Sequence, residues 1–513
     1  EMKWIYPYPP TTYPTIGGAK TYAGSGSPVL IVDGIAYSAT NQRALVAVDA
    51  ASGSLIWNSI VSYDNDILQQ EYPHVKGMLP HTHAVNYYDD RGIIIPSLQA
   101  CQIDGHDSLI GDISFSIKEM CGTEEEARAW GNQGYYASIG THPPQFYGDI
   151  MVVPVMGSSG NGGRSFVAGY DVSDMDNPKR IWQTFLVPPA EGDPEWALHQ
   201  CDIGWFFSYP EWKETGRMGI PCNEVPRENL INDWGVPKHY TSSVAAIWGQ
   251  MALDQETGII YFGTGNQGGW VNNTYAIGPN LFASSIIAMN STSGDILWWY
   301  QTVPRDMVQA DTAWNTVLTE LTINGERKKA IIKYSVTGLL WALDAATGEP
   351  LWIYESPILK SRVDSDGVVR GRTSGHPCIG CDPKTQDGYW NNVMSHYDMQ
   401  EKKWLNYPSK DWFYWIPARA GEADIALNTD LERIYVPVAG GVDKAIKADK
   451  YGTLGVKPGQ DYYIDTLSKN VTLYSLDANT GEEVWSYFID GVAYRGGIIA
   501  TEDLAIIPAA EGN

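Results

Sequence analysis

Positive charge is scarce in this sequence. Lysine and arginine together number 35 in 513 residues, against 60 aspartates and glutamates, and the formal net charge is −25. A chain this acidic repels phosphate backbones and anionic membrane surfaces, which argues against nucleic acid as a partner. Long apolar runs are missing as well. No stretch of about 18 apolar residues appears, so we expect no transmembrane span.

Cysteine is also rare, and the six positions form three pairs of sequence neighbours: Cys101 and Cys121, Cys201 and Cys222, Cys378 and Cys381. An even number is what disulfides require, and neighbour pairing is the simplest connectivity, although the sequence does not fix it. The Cys-x-x-Cys of the last pair has a second interpretation as a redox dithiol. Three glycosylation sequons stand at Asn272, Asn290 and Asn470. Together these features predict a secreted, periplasmic or cell-surface glycoprotein.

One pattern recurs along the chain: an apolar strand, Asp or Asn, then Gly four residues later and Trp four residues after that. The copies are AVDAASGSLIW (47–57), AMNSTSGDILW (288–298), ALDAATGEPLW (342–352) and SLDANTGEEVW (475–485), with a stretched copy at 169–182 and a decayed one at 101–112. The acidic residue can cap a turn and Gly can supply positive φ, so each copy predicts a β-hairpin. Its Trp then packs against a neighbouring unit. Such repeats predict an all-β fold, an eight-bladed β-propeller with tryptophan-docking motifs.

We expect one propeller domain over 1–513, because no linker interrupts the repeats. Segments 186–240 and 355–415 are rich in Pro, Gly, Trp and Cys, which predicts long loops covering one face. The last segment, 496–513, has no further Asp-Gly-Trp hairpin. Three explanations stay open: the N-terminal EMKWIYPYPP closes the ring, the chain is truncated, or another subunit supplies the strand. An open edge would favour a homo-oligomer.

Two further runs are more specific. The chain reads WGQMALDQETGIIYFGTGNQGGW from 248 and LFASSIIAMNSTSGDILWWYQTVPRD from 281. With the first hairpin and GSSGNGGRSFVAGYD, they make the chain resemble, over nearly its whole length, the pyrroloquinoline quinone (PQQ)-dependent alcohol and methanol dehydrogenases. That resemblance implies PQQ on a tryptophan floor in the propeller channel, with Ca²⁺ or a lanthanide as Lewis acid. It also implies an Asp that takes the alcohol proton while hydride passes to the quinone.

The resemblance assigns roles to four residues. Trp248 falls on the floor tryptophan, as cofactor-binding residue, and Asn266 on an asparagine that contacts cofactor and metal. Asp311 falls on the second aspartate of the lanthanide-type enzymes, as metal ligand. Gln309 occupies the place of the catalytic Asp, and a local shift would bring Asp306 or Asp311 into that role. The structural alternative is a core aromatic for Trp248, a turn residue for Asn266, and a solvated loop for Asp306 and Asp311.

Other positions depart from the family. Gly160 or Asn161 stands where a metal-ligating Glu is expected, and Val336 replaces a cofactor-binding cation. The adjacent Cys-Cys pair is absent, with PHTHAVN in that stretch. Three hypotheses therefore stand: a quinoprotein oxidoreductase of alcohols or aldehydes with an altered site; a non-catalytic cell-surface propeller acting as scaffold, binding module or assembly subunit; or a sugar-binding propeller that uses channel aromatics. Whether the chain is an enzyme stays open, and its partner is a small-molecule substrate or a cell-surface protein.

Overall fold

The architecture is that of a computed structural model of the chain. The structure describes residues 3–7, 13–14, 20–21, 29–39, 44–60, 85–96, 103–117, 120, 123, 125–126, 137–139, 143–157, 164–189, 192–235, 245–266, 278–306, 311–356, 362–363, 369–370, 377–378, 397–398, 403–404, 413–416, 424–439, 444–447, 470–490 and 497–507. Within them the protein is all-β, with many antiparallel sheets and few helices.

The described strands, in chain order, are β1 (Tyr13–Pro14), β2 (Lys20–Thr21), β3 (Leu30–Val32), β4 (Ile35–Ala39), β5 (Ala44–Asp49), β6 (Leu55–Ile60), β7 (Val85–Tyr88), β8 (Ile93–Pro96), β9 (Ile103–Asp107), β10 (Ile113–Ile117), β11 (Ala137–Ile139), β12 (Gln145–Tyr147), β13 (Ile150–Gly157), β14 (Phe166–Asp171), β15 (Lys179–Phe185), β16 (Gly204–Phe206), β17 (Ile220–Pro221), β18 (Ala252–Asp254), β19 (Ile259–Gly263), β20 (Ser285–Asn290), β21 (Ile296–Gln301), β22 (Thr316–Ile323), β23 (Glu326–Tyr334), β24 (Leu339–Asp344), β25 (Pro350–Glu355), β26 (Arg362–Val363), β27 (Val369–Arg370), β28 (Pro377–Cys378), β29 (Tyr397–Asp398), β30 (Lys403–Trp404), β31 (Phe413–Ile416), β32 (Ala426–Asn428), β33 (Arg433–Ala439), β34 (Lys444–Lys447), β35 (Asn470–Asp477), β36 (Glu483–Asp490), β37 (Ile499–Ala500) and β38 (Ala505–Ile506). The α-helix α1 is Tyr209–Thr215, and short 3-10 helices span Asp89–Arg91, Leu198–Ile203, Cys222–Glu224 and Arg227–Asn229.

The chain divides into two compact units, each described here by itself. Unit 1 comprises Glu1–Leu186, Thr241–Ile259 and Asn290–Asp295, and unit 2 comprises Val187–Tyr240, Ile260–Met289 and Ile296–Asn513. Strands consecutive in sequence pair with one another in four-stranded antiparallel sheets. These are β3-β4-β5-β6 and β10-β9-β8-β7 in unit 1, and β22-β23-β24-β25 in unit 2. This local pairing is consistent with propeller blades; the single domain and the blade count stay predictions.

The hairpin between β5 and β6 shows why the repeated pattern folds as it does. Oδ1 of Asp49 accepts the backbone N–H and the hydroxyl of Ser52, both at 2.7 Å, which caps the turn. Gly53 then adopts φ +72°, a left-handed conformation that glycine reaches without a Cβ clash. A Cβ at Gly53 would also lie only 2.5 Å from the ring of Trp4. The glycine is therefore required both by the turn and by the ring that covers it.

Tryptophans meet the turns of other hairpins in a recurring way. The indole N–H of Trp57 donates to the carbonyl of Ser108 at 2.8 Å, and its ring lies over Gly111. In unit 2 the indole N–H of Trp298 donates to the carbonyl of Ala345 at 2.8 Å, with its ring over Gly348. Each indole therefore finds an acceptor while its ring is buried, which a buried tryptophan requires.

The segment after residue 186, expected as a covering loop, extends a sheet instead. In unit 2 the strands run in the order β17-β16-β21-β20-β19, and β16 pairs parallel with β21. A disulfide joins Cys201 to Cys222, with Cα atoms 4.9 Å apart, and ties the start of this segment to the end of β17. Gly204 of β16 lies against the ring of Trp299. The segment therefore covers a sheet edge that would otherwise expose unpaired backbone groups.

The remaining predictions about chain organisation fall mostly outside the described residues. The side chains of the other four cysteines are among these: Cys101, Cys121, Cys378 and Cys381. Most of segment 355–415 is likewise outside. Among the helices that the structure describes, none is long and apolar enough to cross a membrane.

Candidate functional site

The site of unit 2 is built at the end of β19, where the chain continues as Thr264-Gly265-Asn266. Backbone bonds hold this stretch: the N–H of Thr264 donates to Ser285 O and the N–H of Ser284 donates to Gly265 O, both at 2.8 Å. The hydroxyl of Thr264 donates to Phe282 O at 2.5 Å. Asn266 therefore leaves the sheet from a fixed base, in the sequence Gly-Thr-Gly-Asn that the resemblance singled out.

Asn266 and Asp311 are in direct contact. Oδ1 of Asp311 accepts the backbone N–H of Asn266 at 2.6 Å and its side-chain Nδ2–H at 2.8 Å. Both residues are buried, with 7% and 8% of their surface exposed. Two donors on one carboxylate oxygen orient the group, and they bring together the two residues predicted as metal ligands from segments 45 positions apart.

Asp306 joins the same network through Ser284. The hydroxyl of Ser284 donates to Oδ2 of Asp306 at 2.7 Å, and Asp306 is 1% exposed. Since the N–H of Ser284 binds the carbonyl of Gly265, Asp306 is linked to the residue next to Asn266. Asp306 and Asp311 are therefore both buried. This contradicts the alternative that they lie on a solvated loop. The structure brings three of the four predicted site residues into one hydrogen-bonded network.

Trp248, the fourth predicted site residue, belongs to unit 1. It is half-buried, in a stretch without regular secondary structure. Its assignment as a cofactor floor stays a prediction.

The structure describes the side chain of one of the three sequon asparagines, Asn290. Oδ1 of Asn290 accepts the N–H and hydroxyl of Thr292, at 2.8 and 2.7 Å, so Asn290 caps its hairpin turn as the aspartates of the other copies do. Asn272 lies outside the described residues, and so does the side chain of Asn470. Glycosylation at all three stays a prediction.

Lys333 is a cation at this site that the sequence analysis missed. It lies on β23 and is fully buried, and its ammonium donates to Trp314 O, to Asn315 O at 3.1 Å and to Thr316 Oγ1 at 3.0 Å. Burial lowers the pKa of Lys333 to about 7, and the carboxylate of Asp424 opposes that shift. A lone lysine inside the apolar run AIIKYSV was the available signal, because an unpaired charge is almost never placed in a core strand.

Asp233 is a second buried charge that sequence reasoning missed. Its carboxylate accepts the backbone N–H of Asn280 and, at 2.8 Å, that of Leu281. Burial raises the pKa of Asp233 to about 7, against the effect of those two hydrogen bonds. The indole N–H groups of Trp196 and Trp234 both donate to Leu281 O, at 2.7 and 2.6 Å. These hydrogen bonds fix the loop that leads to Ser284, whose hydroxyl donates to Asp306.

The donor set decides how well a metal would fit. Asn266 and Asp311 offer hard oxygen donors, the type that Ca²⁺ and lanthanides take. Within the described ranges no group of three or more His, Cys, Asp and Glu side chains is placed to hold a metal ion. Because Ca²⁺ takes about six to eight oxygens, the pair fits one side of such a shell and leaves the remainder to a bound ligand or solvent.

Comparisons with known proteins agree with this architecture. The family model described as "Glucose/ethanol/alcohol dehydrogenase, beta-propeller domain" matches residues 221–408, which include Trp248, Asn266, Asp306, Asp311 and Lys333. The dehydrogenase subunit of the quinone alcohol dehydrogenase of Gluconobacter oxydans (strain 621H) is 26% identical over 340 residues, 64% of this chain and 39% of that protein. The quinohemoprotein alcohol dehydrogenase ADH IIB of Pseudomonas putida is 27% identical over 334 residues, 62% of this chain and 40% of that protein.

Solved structures show the same fold. Quinohemoprotein alcohol dehydrogenase ADHIIG of Pseudomonas putida HK5 has a TM-score of 0.64 at 19% identity, covering 95% of this chain and 64% of that one. A europium-containing methanol dehydrogenase has a TM-score of 0.59 at 17% identity, covering 94% of this chain and 76% of that one.

The described antiparallel sheets are consistent with a β-propeller, and residues 221–408 match the β-propeller domain of the dehydrogenase family model. The resemblance to the PQQ-dependent alcohol dehydrogenases is confirmed, and the chain is a relative of those enzymes. It spans only 39% and 40% of the length of the two curated relatives described above. Their activity, substrates and partners therefore do not transfer to it without a test.

Proposed function

We propose that this chain is an extracytoplasmic quinoprotein oxidoreductase of alcohols or aldehydes with an altered active site. One observation carries the proposal: two buried carboxylates, Asp306 and Asp311, share a hydrogen-bonded network with Asn266. Burying charged groups is costly unless they are held by hydrogen bonds, and functional sites are where such groups are found. Two buried carboxylates in one network are therefore candidates for a functional role.

The residues divide into two roles. Asn266 and Asp311 would hold a Ca²⁺ or lanthanide ion, since the Asn266–Asp311 contact already orients the carboxylate. Asp306, oriented by the hydroxyl of Ser284, would accept the hydroxyl proton of the alcohol as its C–H bond breaks and the carbonyl forms. PQQ, when bound, supplies the two-electron acceptor for the hydride.

A second candidate, the non-catalytic propeller, is favoured by the incomplete donor set. Val336 stands where the family has a cofactor-binding cation, and Gly160 or Asn161 where it has a metal ligand. A scaffold or binding module on the cell surface would keep the hairpins and lose these groups, because function resides in the site and not in the fold.

The location and partners belong to the same proposal. The Cys201–Cys222 disulfide supports an oxidising compartment, since such bonds persist outside the cytosol. The acidic composition supports a small-molecule partner or a cell-surface protein over nucleic acid.

The test is a titration of the metal-supplemented protein with PQQ, followed by tryptophan fluorescence and then by dye-linked alcohol oxidation. We expect saturable quenching, and a loss of about 10²-fold or more of turnover in Asp306→Asn with PQQ affinity retained. Asp311→Asn should weaken the affinity for the ion, so that a higher Ca²⁺ or La³⁺ concentration is needed for turnover. Glu320→Gln, an exposed carboxylate of unit 2, is the control. If PQQ does not bind in the presence of either Ca²⁺ or La³⁺, the oxidoreductase proposal is wrong and the non-catalytic propeller is favoured.

A further inference from the structure

We propose that Lys333 is a positioning residue that holds segment 311–316, and with it the carboxylate of Asp311, against Asn266. What the site then does rests on the proposed function; the positioning itself rests on the contacts of Lys333 alone. Nothing in the chain's resemblance to the dehydrogenases points to this lysine, because the family's cofactor-binding cation corresponds to Val336.

The first step is the geometry of the ammonium. Lys333 stands directly opposite Thr316 in the β22–β23 register, so its side chain begins beside the segment it holds. Its three N–H groups meet three oxygens, Trp314 O, Asn315 O and Thr316 Oγ1. In its protonated form the side chain donates hydrogen bonds roughly twice as strong as neutral ones, which attaches it firmly to three consecutive residues.

The second step is how the segment reaches the site. The N–H of Thr312 donates to Thr264 O, and the N–H of Val336 donates to Asp311 O, both at 3.1 Å. Segment 311–316 is thus bound at its start by Thr264, just after β19, and Val336, just after β23, and at its end by Lys333. A Cβ at Gly263 would lie 1.8 Å from Thr312 O and 2.7 Å from the Lys333 ammonium, so the three groups are tightly packed.

The third step concerns the cost of this arrangement. Removing the Lys333 cation from water costs free energy. The carboxylate of Asp424, which faces Lys333, offsets only part of that cost, because burial still lowers the pKa of Lys333. A methionine would fill the same space without that cost. The charge is therefore placed for its hydrogen bonds to residues 314–316 and not for packing.

The experiment is amide hydrogen exchange on the full chain, comparing Lys333→Met with Lys328→Met. Lys328 lies on the same strand but is exposed, and it faces Asp344 at 3.6 Å. In Lys333→Met we expect peptides covering 311–316 and 264–266 to exchange roughly tenfold faster or more, as loss of charged hydrogen bonds implies. Lys328→Met should leave them unchanged. Unchanged exchange in Lys333→Met, or equal acceleration in all peptides of unit 2, would overturn the proposal.

A milder variant covers the case in which Lys333→Met does not fold. Thr316→Val removes one acceptor without changing side-chain volume, and we expect a smaller acceleration confined to the same peptides. No change there would also contradict the positioning role.

A second readout links the lysine to the proposed function. In Lys333→Met the Ca²⁺ or La³⁺ concentration for half-maximal PQQ-dependent oxidation should rise about tenfold, with the KM for alcohol little changed. An unchanged ion requirement in a folded, active Lys333→Met would contradict the inference. If the wild-type chain binds no PQQ, the proposed function fails, and hydrogen exchange still decides the role of Lys333.

Discussion

Two buried charges in unit 2 are stabilised by opposite means. Lys333 places its cation among oxygens, whereas Asp233 places its carboxylate against the N–H groups of Asn280 and Leu281. Each therefore fixes backbone that leads to the site: Lys333 holds the segment of Asp311, and Asp233 holds the loop of Ser284. Lys333 and Asp233 thus help to determine where the side chains of the site lie.

Because Lys333 is buried, the free energy of unfolding should depend on pH in the neutral to alkaline range. The unfolded chain keeps this proton up to about pH 10.5, whereas the folded chain releases it near pH 7. Between these values the unfolded state binds more protons, so the free energy of unfolding should rise with pH. The full rise is about 5 kcal/mol at most. Denaturant unfolding from pH 7 to 10 should show it in the wild type and not in Lys333→Met.

Lys333→Met removes the titration of this lysine and also the cation that lowers the pKa of Asp424, so the comparison reports on the Lys333–Asp424 pair. Lys328→Met serves again as control and should keep the wild-type rise. A rise of the same size in Lys333→Met would show that another group causes it, and a fall would show that the ammonium is stabilised in the folded state.

At the scale of elements, the sequence predicts what is local and misses what is not. The hairpins around Asp49, Asn290, Asp344 and Asp477 follow from turn chemistry within about ten residues, and each flanking pair is antiparallel. The parallel pairing of β16 with β21 joins strands almost a hundred residues apart. No local pattern encodes that contact, which explains why segment 186–240 was expected to be a loop.

The motif glycines allow a controlled test of ring packing. Gly348 and Gly325 both have positive φ, at 72° and 85°. A Cβ at Gly348 would lie 2.5 Å from the Trp298 ring, but at Gly325 it would meet nothing within 4 Å. Gly325→Ala should cost about 1–2 kcal/mol of unfolding free energy from backbone strain alone. Gly348→Ala should cost about 1–3 kcal/mol more, because the ring must move.

Denaturant unfolding of the two variants measures the difference. If Gly348→Ala were no worse than Gly325→Ala, the tryptophan would be shown to pack loosely on its turn. The recurring contact would then contribute little to holding hairpins together.

For the molecule as a whole, sequence reasoning reached the fold class through repeats and reached part of the site through resemblance. Asn266, Asp306 and Asp311 were predicted because Gly-Thr-Gly-Asn and the run after Trp298-Trp299 are specific sequences. Lys333 and Asp233 were missed because their importance arises from burial, which depends on the packing of distant strands. The assignment of Trp248 rests on the resemblance and stays a prediction.

The outer strand β36 carries exposed apolar side chains. In the described part of the chain it ends the sheet order β32-β33-β35-β36, and Trp485, Tyr487 and Phe488 are 42%, 64% and 55% exposed. Exposed apolar strand edges template pairing with another copy. We therefore expect concentration-dependent self-association in sedimentation experiments, weakened in the double variant Tyr487→Lys, Phe488→Asp.

Salt separates this association from nonspecific behaviour. Copies carrying a net charge of −25 repel one another, and screening that repulsion should strengthen pairing through β36 as ionic strength rises. Leu109→Lys, which changes an apolar turn residue that is 66% exposed, is the matched control. Equal loss of association in the control would assign it to general surface hydrophobicity. A monomer at all salt concentrations would show that apolar exposure along β36 does not suffice for pairing.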